Sequence, residues 1–164
     1  MNTRSMLTLS AAALLCLGAF SNAHADETVK FRATMHAISV QSQDIGDVDG
    51  HTAGLARFSG LASFPDGTVG TSYFTTTTDY IKGSGVFSVY QNLTLNDGSV
   101  LWFKTAGTAT VDGTTTLLKG TIIVLGGKGR FEGAKGEGTV NGVRLTPLAA
   151  GAELYNDIAI DIKK

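Results

Sequence analysis

Beyond residue 25, apolar and polar residues alternate with a period of two through much of the chain. In Thr28–Ile38 one row reads Val29, Phe31, Ala33, Met35 and the other Lys30, Arg32, Thr34, His36. In Ala152–Ile162, Leu154, Ile158 and Ile160 alternate with Glu153, Asp157 and Asp161. Successive side chains on a strand point to opposite faces, so both segments are predicted strands with one wet face. Asp66-Gly67, Asp97-Gly98, Asp112-Gly113 and Asn141-Gly142 punctuate the chain with the dipeptides that tight hairpins favour. Between these marks lie Ala53–Phe64, Thr68–Thr77, Gly85–Leu95, Val100–Thr110, Leu117–Leu125 and Gly136–Leu145, all rich in Thr, Val, Ile, Phe or Tyr. With the two terminal segments they make about eight strands. No stretch carries a helical period; Leu148 to Tyr155 suggests at most one turn of helix, cut by Gly151.

A meandering all-β chain with short connections must dispose of its strand edges, and closure into an antiparallel barrel does so most simply. The middle strands differ from the terminal ones. Val86-Phe87, Val89-Tyr90, Leu101-Trp102-Phe103 and the run from Leu117 to Leu125 place apolar groups on both faces. Strands that are apolar outside as well as inside need a cover, and no helix is predicted to supply it. A homo-oligomer, dimer or trimer, is therefore expected.

The first 25 residues are set apart by a different pattern. Arg4 precedes an apolar run from Met6 to Phe20, followed by Ala23-His24-Ala25 before Asp26, the layout of a secretory signal peptide. Cys16 lies within that run and lacks the small preceding residue of a lipidation site. The expected mature protein, residues 26–164, is a single domain, exported to the periplasm or secreted, and free of the membrane after cleavage. Cys16 is the only cysteine, so the mature chain holds no disulfide, thiol nucleophile or cysteine metal ligand. Thirteen Lys and Arg stand against fourteen Asp and Glu, a balance that argues against nucleic acid as a partner.

Leu118 to Leu125 leads into Gly126-Gly127-Lys128-Gly129-Arg130-Phe131-Glu132-Gly133-Ala134-Lys135-Gly136, in which glycine density signals a sharply turned β connection. The positions Gly126, Gly127, Gly129, Phe131, Ala134 and Gly136 resemble the Gly-Gly-x-Gly-x-Phe-x-x-Ala-x-Gly turn of the allene oxide cyclase and dirigent protein superfamily. The resemblance covers about 20 residues. It implies an allene oxide cyclase-like barrel of eight antiparallel strands, commonly oligomeric, with an apolar axial cavity, here in an exported bacterial member. Plant members steer ring closure or radical coupling of hydrophobic substrates by holding them in one conformation. The matched segment is a structural turn, so it nominates no catalytic residue.

Other chemistries find little support. The glycine segment lacks Gly-x-x-x-x-Gly-Lys-Ser/Thr and opens no helix, against a phosphate loop. Asp44, Asp47 and Asp49 approach calcium-loop spacing without its closing Glu and read as a solvated turn. His36 and His51 have no metal-ligand partners at a telling spacing, and Gly-x-Ser-x-Gly is absent. Neither a metal nor a cofactor is expected.

What remains is the logic of a cavity, in which polar groups intruding on apolar rows are costly unless they are hydrogen-bonded or meet a ligand. By that criterion the candidate ligand-binding residues are Arg57, Gln91, Lys104 and Asn156, with the phenols of Tyr73 and Tyr90. Two functions follow: a cofactor-free cyclase or isomerase acting on a small hydrophobic molecule, or a non-catalytic carrier or scavenger of one. A filled, purely structural barrel is the third outcome.

Overall fold

The computed structural model describes residues 26–163, so the expected signal peptide at residues 1–25 lies outside the described residues. Eight strands follow one another: β1 (Glu27–Asp44), β2 (His51–Ser63), β3 (Val69–Ile81), β4 (Ser84–Thr94), β5 (Val100–Asp112), β6 (Thr115–Lys128), β7 (Lys135–Arg144) and β8 (Glu153–Lys163). Each pairs antiparallel with its sequence neighbours, and β1 pairs with β8 from Glu27↔Ile162 to His36↔Glu153. The result is a closed eight-stranded antiparallel barrel, as the alternation predicts. Closure leaves no strand edge bare.

The inward rows are the apolar ones. Val29, Phe31, Ala33 and Met35 from β1 meet Leu154, Ile158 and Ile160 from β8, and Phe58 of β2 stacks on Phe74 of β3 with ring centroids 4.6 Å apart. The outer face of the β1–β8 seam is wet, and there Arg32 makes a two-pronged pair with Asp157, both N–O distances being 2.7 Å.

Asp66-Gly67 and Asp97-Gly98 lie in connections and Asp112-Gly113 leads from β5 into the next, but Asn141-Gly142 is paired on both sides within β7 and makes no turn. Two further departures from the sequence reading have local causes. β1 continues beyond Ile38 to Asp44, across a register shift between Ala37 and Ser39 at which Ile38 is the extra, outward residue and after which Val40 packs against the core. Residues 145–152 form a turn-rich loop, not a helical turn. Gly151, at φ 82°, donates its N–H to the Ala37 carbonyl, and Ala37 donates to Ala152, so the loop's backbone bonds go to the β1 bulge.

The barrel's two ends differ. At one end sit the connections 64–68, 95–99 and 129–134; at the other sit 45–50, 82–83, 113–114 and 145–152. The glycine segment belongs to the first end. Leu125 is the extra residue of a β5–β6 bulge, after which Gly129–Phe131 makes a 3-10 turn. Gly129 takes φ 65° there, and the Arg130 N–H bonds to Ser99 Oγ at 3.0 Å. This turn drives Phe131 into the barrel, where it is fully enclosed. Phe131→Ala is expected to cost about 3–5 kcal/mol, read as a lowered denaturant midpoint.

At the second end the Asp47–Asp49 turn is tied down by side chains. His51 lies between two carboxylates, with Nδ1 2.6 Å from Asp47 Oδ1 and Nε2 2.8 Å from Asp79 Oδ1, while Lys82 pairs with Asp49 at 2.9 Å. Asp44 Oδ1 accepts from the Gly46 N–H at 2.9 Å. The hydrogen bonds to Asp79 and then Asp47 hold the His51 pKa above its ordinary 6.5, and the bond to His51 holds Asp47 below 3.8. The imidazolium's contribution is complete below pH 6.5 and is lost as pH rises through the raised value; that of Asp47 is present above 3.8 and is lost as pH falls through the lowered value. Amide exchange at His51, whose N–H bonds to the Val48 carbonyl, is expected to be slowest between those limits.

Candidate functional site

The interior is solid around Phe131 and open toward the other end. There the inward rows of β2–β8 enclose a cavity of ≈ 40 Å³, walled by Phe58, Phe74, Phe87, Val89, Leu118, Val140 and Leu154. A space of that size holds a few waters or the leading end of a small apolar group. It shares Thr78, Tyr80, Arg144 and Leu148 with a vestibule of ≈ 660 Å³ formed by the surrounding connections, so those four residues stand at the junction. The vestibule's own size is in the range of small-molecule sites.

Polar groups enter this largely apolar slot as the hydroxyls of Thr76, Thr78 and Thr105 and as Tyr80, Gln91, Arg144 and Asn156. Gln91, buried on β4, donates from Nε2 to Ser72 Oγ at 2.8 Å, and Ser72 Oγ donates to the Asn92 carbonyl at 3.2 Å. Asn156 on β8 is only 8% exposed, and its Oδ1 is enclosed without a hydrogen-bond partner. It lies against Gly142 of the neighbouring strand, where any side chain would occupy the amide's place.

At the junction Arg144, 4% exposed, donates from Nε to the Thr146 carbonyl and from Nη2 to Thr116 Oγ1, both at 3.0 Å. Its guanidinium faces the Tyr80 ring at 5.9 Å. Burial pushes the Tyr80 phenol above 10.0, and Arg144 pulls it partly back, so the phenol is neutral at physiological pH.

Of the residues nominated from sequence, the barrel brings Gln91 and Asn156 together on the cavity wall. Arg57, Tyr73, Tyr90 and Lys104 are on the outer face. Arg57 alternates with the inward Ala56 and Phe58; the row that includes Leu55 and Leu61 is exposed instead. Tyr73 alternates with Ser72 and Phe74. Tyr90 and Gln91 are consecutive and so point to opposite sides; Tyr90 is 57% exposed, with Lys104 over its ring at 5.3 Å. In β5 both parities are apolar, and Leu101, Phe103 and Thr105 take the inside, which turns Trp102 and Lys104 outward.

Tyr80 and Arg144 were absent from the sequence candidates. Tyr80 lies past the predicted end of its strand at Thr77, whereas β3 runs to Ile81. Arg144 completes the inward row Val140, Gly142, Arg144 of β7, and a cation on such a row is the signal that would have found it.

The closed barrel with its one open end is a dirigent-like fold. Among the solved structures that resemble it are the pterocarpan synthase dirigent protein GePTS1, at TM-score 0.53 and 12% identity over 99% of this chain and 100% of that one, and the pterocarpan synthase dirigent protein PsPTS1, at TM-score 0.52 and 14% identity over 84% of this chain and 97% of that one. No family model matches the sequence. No curated protein matches it either.

An enclosed amide without a partner is costly, so Asn156→Leu is expected to raise stability by roughly 1 kcal/mol, measured by chemical denaturation. The same change partly fills the cavity and is expected to weaken ligand binding.

Proposed function

We propose that the protein is an exported, dirigent-like barrel that holds a small, largely apolar molecule at the Tyr80–Arg144 end of its axis. The observation that carries this reading is a largely apolar slot that opens at Thr78, Tyr80, Arg144 and Leu148 into a vestibule of small-molecule size. The two dirigent-like barrels named above are pterocarpan synthase proteins, and ring closure guided by shape fits a site of this kind.

In that role the un-ionised Tyr80 phenol and the neighbouring Arg144 would present donors to a substrate oxygen on which negative charge develops, without a cofactor or a covalent intermediate. The carrier reading has its own support. The cavity lining contains neither carboxylate nor imidazole to act as a base, and a carrier needs only hydrogen bonds. Export rests on the leader pattern of residues 1–25.

A second copy of the chain is proposed as the cover of the outer β4–β6 wall. Tyr90, Lys104 and Ile123 lie in one register row, with Trp102 and Leu125 beside them, and the four apolar members are all exposed. Sedimentation of the protein is expected to give a dimer or trimer that Ile123→Asp dissociates; a monomer at all concentrations would refute this part.

Native mass spectrometry of protein purified from its own exporting cell tests the ligand. A bound small molecule is expected in the wild type and reduced in Leu118→Phe, which fills the slot; a ligand-free wild type that also fails to bind neutral aryl alcohols would overturn the reading. Isomerisation preserves mass, so chromatography after incubation separates the two roles: an enzyme returns an isomer, a carrier the same compound.

A further inference from the structure

Arg144 is a buried cation without an anion. Its hydrogen bonds go to a carbonyl and a hydroxyl, and its guanidinium carbon stands 5.9 Å from the centre of the Tyr80 ring, all of them uncharged partners. The ion pairs among the described residues involve Arg32, His51, Lys82 and Arg130, and none involves Arg144. Taking a charge out of water costs several kcal/mol unless an opposite charge or a full set of hydrogen bonds offsets it. The two bonds tie Arg144 to the 145–152 loop and to β6, but they leave guanidinium donors unused. A neutral side chain could make the same ties without that cost.

The charged groups of the lining itself have one sign. Neither the cavity nor the vestibule has an aspartate or glutamate in its lining. The vestibule's charged groups are Arg144 and Lys82, the latter paired at the rim with Asp49; the rest of its polar wall is hydroxyl and backbone, from Ser42, Thr52, Thr114 and Thr115 among others. Among the described residues, Arg144 is thus the one cation of the lining that has no acidic partner. A recessed, positively lined mouth over an apolar floor attracts small anions and orients them.

We propose that the site selects a small carboxylic acid, its carboxylate on Arg144 at the junction and its short aryl or alkyl body in the slot among Phe58, Phe74 and Phe87. This assignment rests on the ligand-binding reading above and adds the charge of the ligand to it. A guanidinium meets a planar carboxylate with paired, charge-assisted hydrogen bonds, and the neutral Tyr80 phenol can donate to the same oxygen pair. Asn156 sits two residues beyond Leu154, the β8 partner of Arg144, roughly 7 Å further along the strand. A ligand entering body-first would carry a distal polar substituent to that amide.

The test uses the mature protein, labelled with nitrogen-15, and matched probes: benzoate, phenylacetate, 3-phenylpropionate and hexanoate against the corresponding primary alcohols. At least one acid is expected to shift the Arg144 Nε resonance and to bind at least about tenfold more tightly than its alcohol. Arg144→Gln is expected to bring that acid's affinity down to the level of the alcohol. Equal binding of acids and alcohols to the wild type would overturn the carboxylate assignment while leaving the apolar-ligand reading in place. Failure of every acid and every alcohol to bind would overturn both. A preference for acid that survives Arg144→Gln would remove Arg144 from the role. If that variant does not fold, the wild-type comparison and the Arg144 Nε shift decide the matter alone.

Discussion

The pairing of β1 with β8 is the constraint on which the rest of this molecule depends. Once Glu27–His36 is in register with Glu153–Ile162, every strand has two neighbours, and the sheet has one inside and one outside. An eight-stranded barrel has an interior just wide enough to be filled by side chains or to hold one small ligand. Which of the two occurs is decided locally, by the bulk of the inward residues at each level. The chain needs no disulfide to fix this arrangement, because closure itself commits every strand's backbone to the ladder.

The two ends of the axis resolve that choice differently. At the 129–134 end, the glycines of the β6–β7 connection let the chain fold back tightly enough to bury Phe131 completely. At the opposite end no residue plays that part. Gly107 and Gly120 face each other across β5 and β6, and the space they leave is taken up by the Phe87 ring. Above it Tyr80, Arg144 and Leu148 rim the slot without closing it. The sealed end and the open end are complementary: Phe131, with Leu93, Leu101, Phe103 and Ile162, fills one end and leaves the slot at the other a blind pocket. The resemblance carried by the glycine turn thus concerns shape, and the chemistry lies at the other end of the barrel.

Much of the fold was legible in the sequence because strand parity and hairpin dipeptides are local signals. The rows Val29–Phe31–Ala33–Met35 and Leu154–Asn156–Ile158–Ile160 are apolar on one side only, so their inward faces, Asn156 included, could be read directly. Gln91 was readable for the same reason, lying between Val89 and Leu93. Arg57 and Lys104 were misplaced because β2 and β5 offer apolar residues on both parities, and one-residue steps reverse the face; Tyr73 and Tyr90, on β3 and β4, were nominated for their phenols and not for their row. Leu55 and Leu61 lie outside, and the smaller Ala56 and Ala62 lie inside, an inversion that only the barrel's limited interior volume explains. Arg144 was hidden by its charge: a cation near a strand end normally belongs to the surface, and only closure of β7 against β6 and β8 buries it.

The central claim is that the barrel is hollow and apolar at one end and sealed at the other. Methyl-detected NMR of the protein under xenon pressure tests it directly, since xenon enters accessible apolar cavities of this kind. Saturable shifts are expected at the methyls of Val89, Leu118, Val140 and Leu154, with none at Val124 or Ile162 near the Phe131 plug. Shifts absent from the first group, or distributed evenly along the axis, would contradict it.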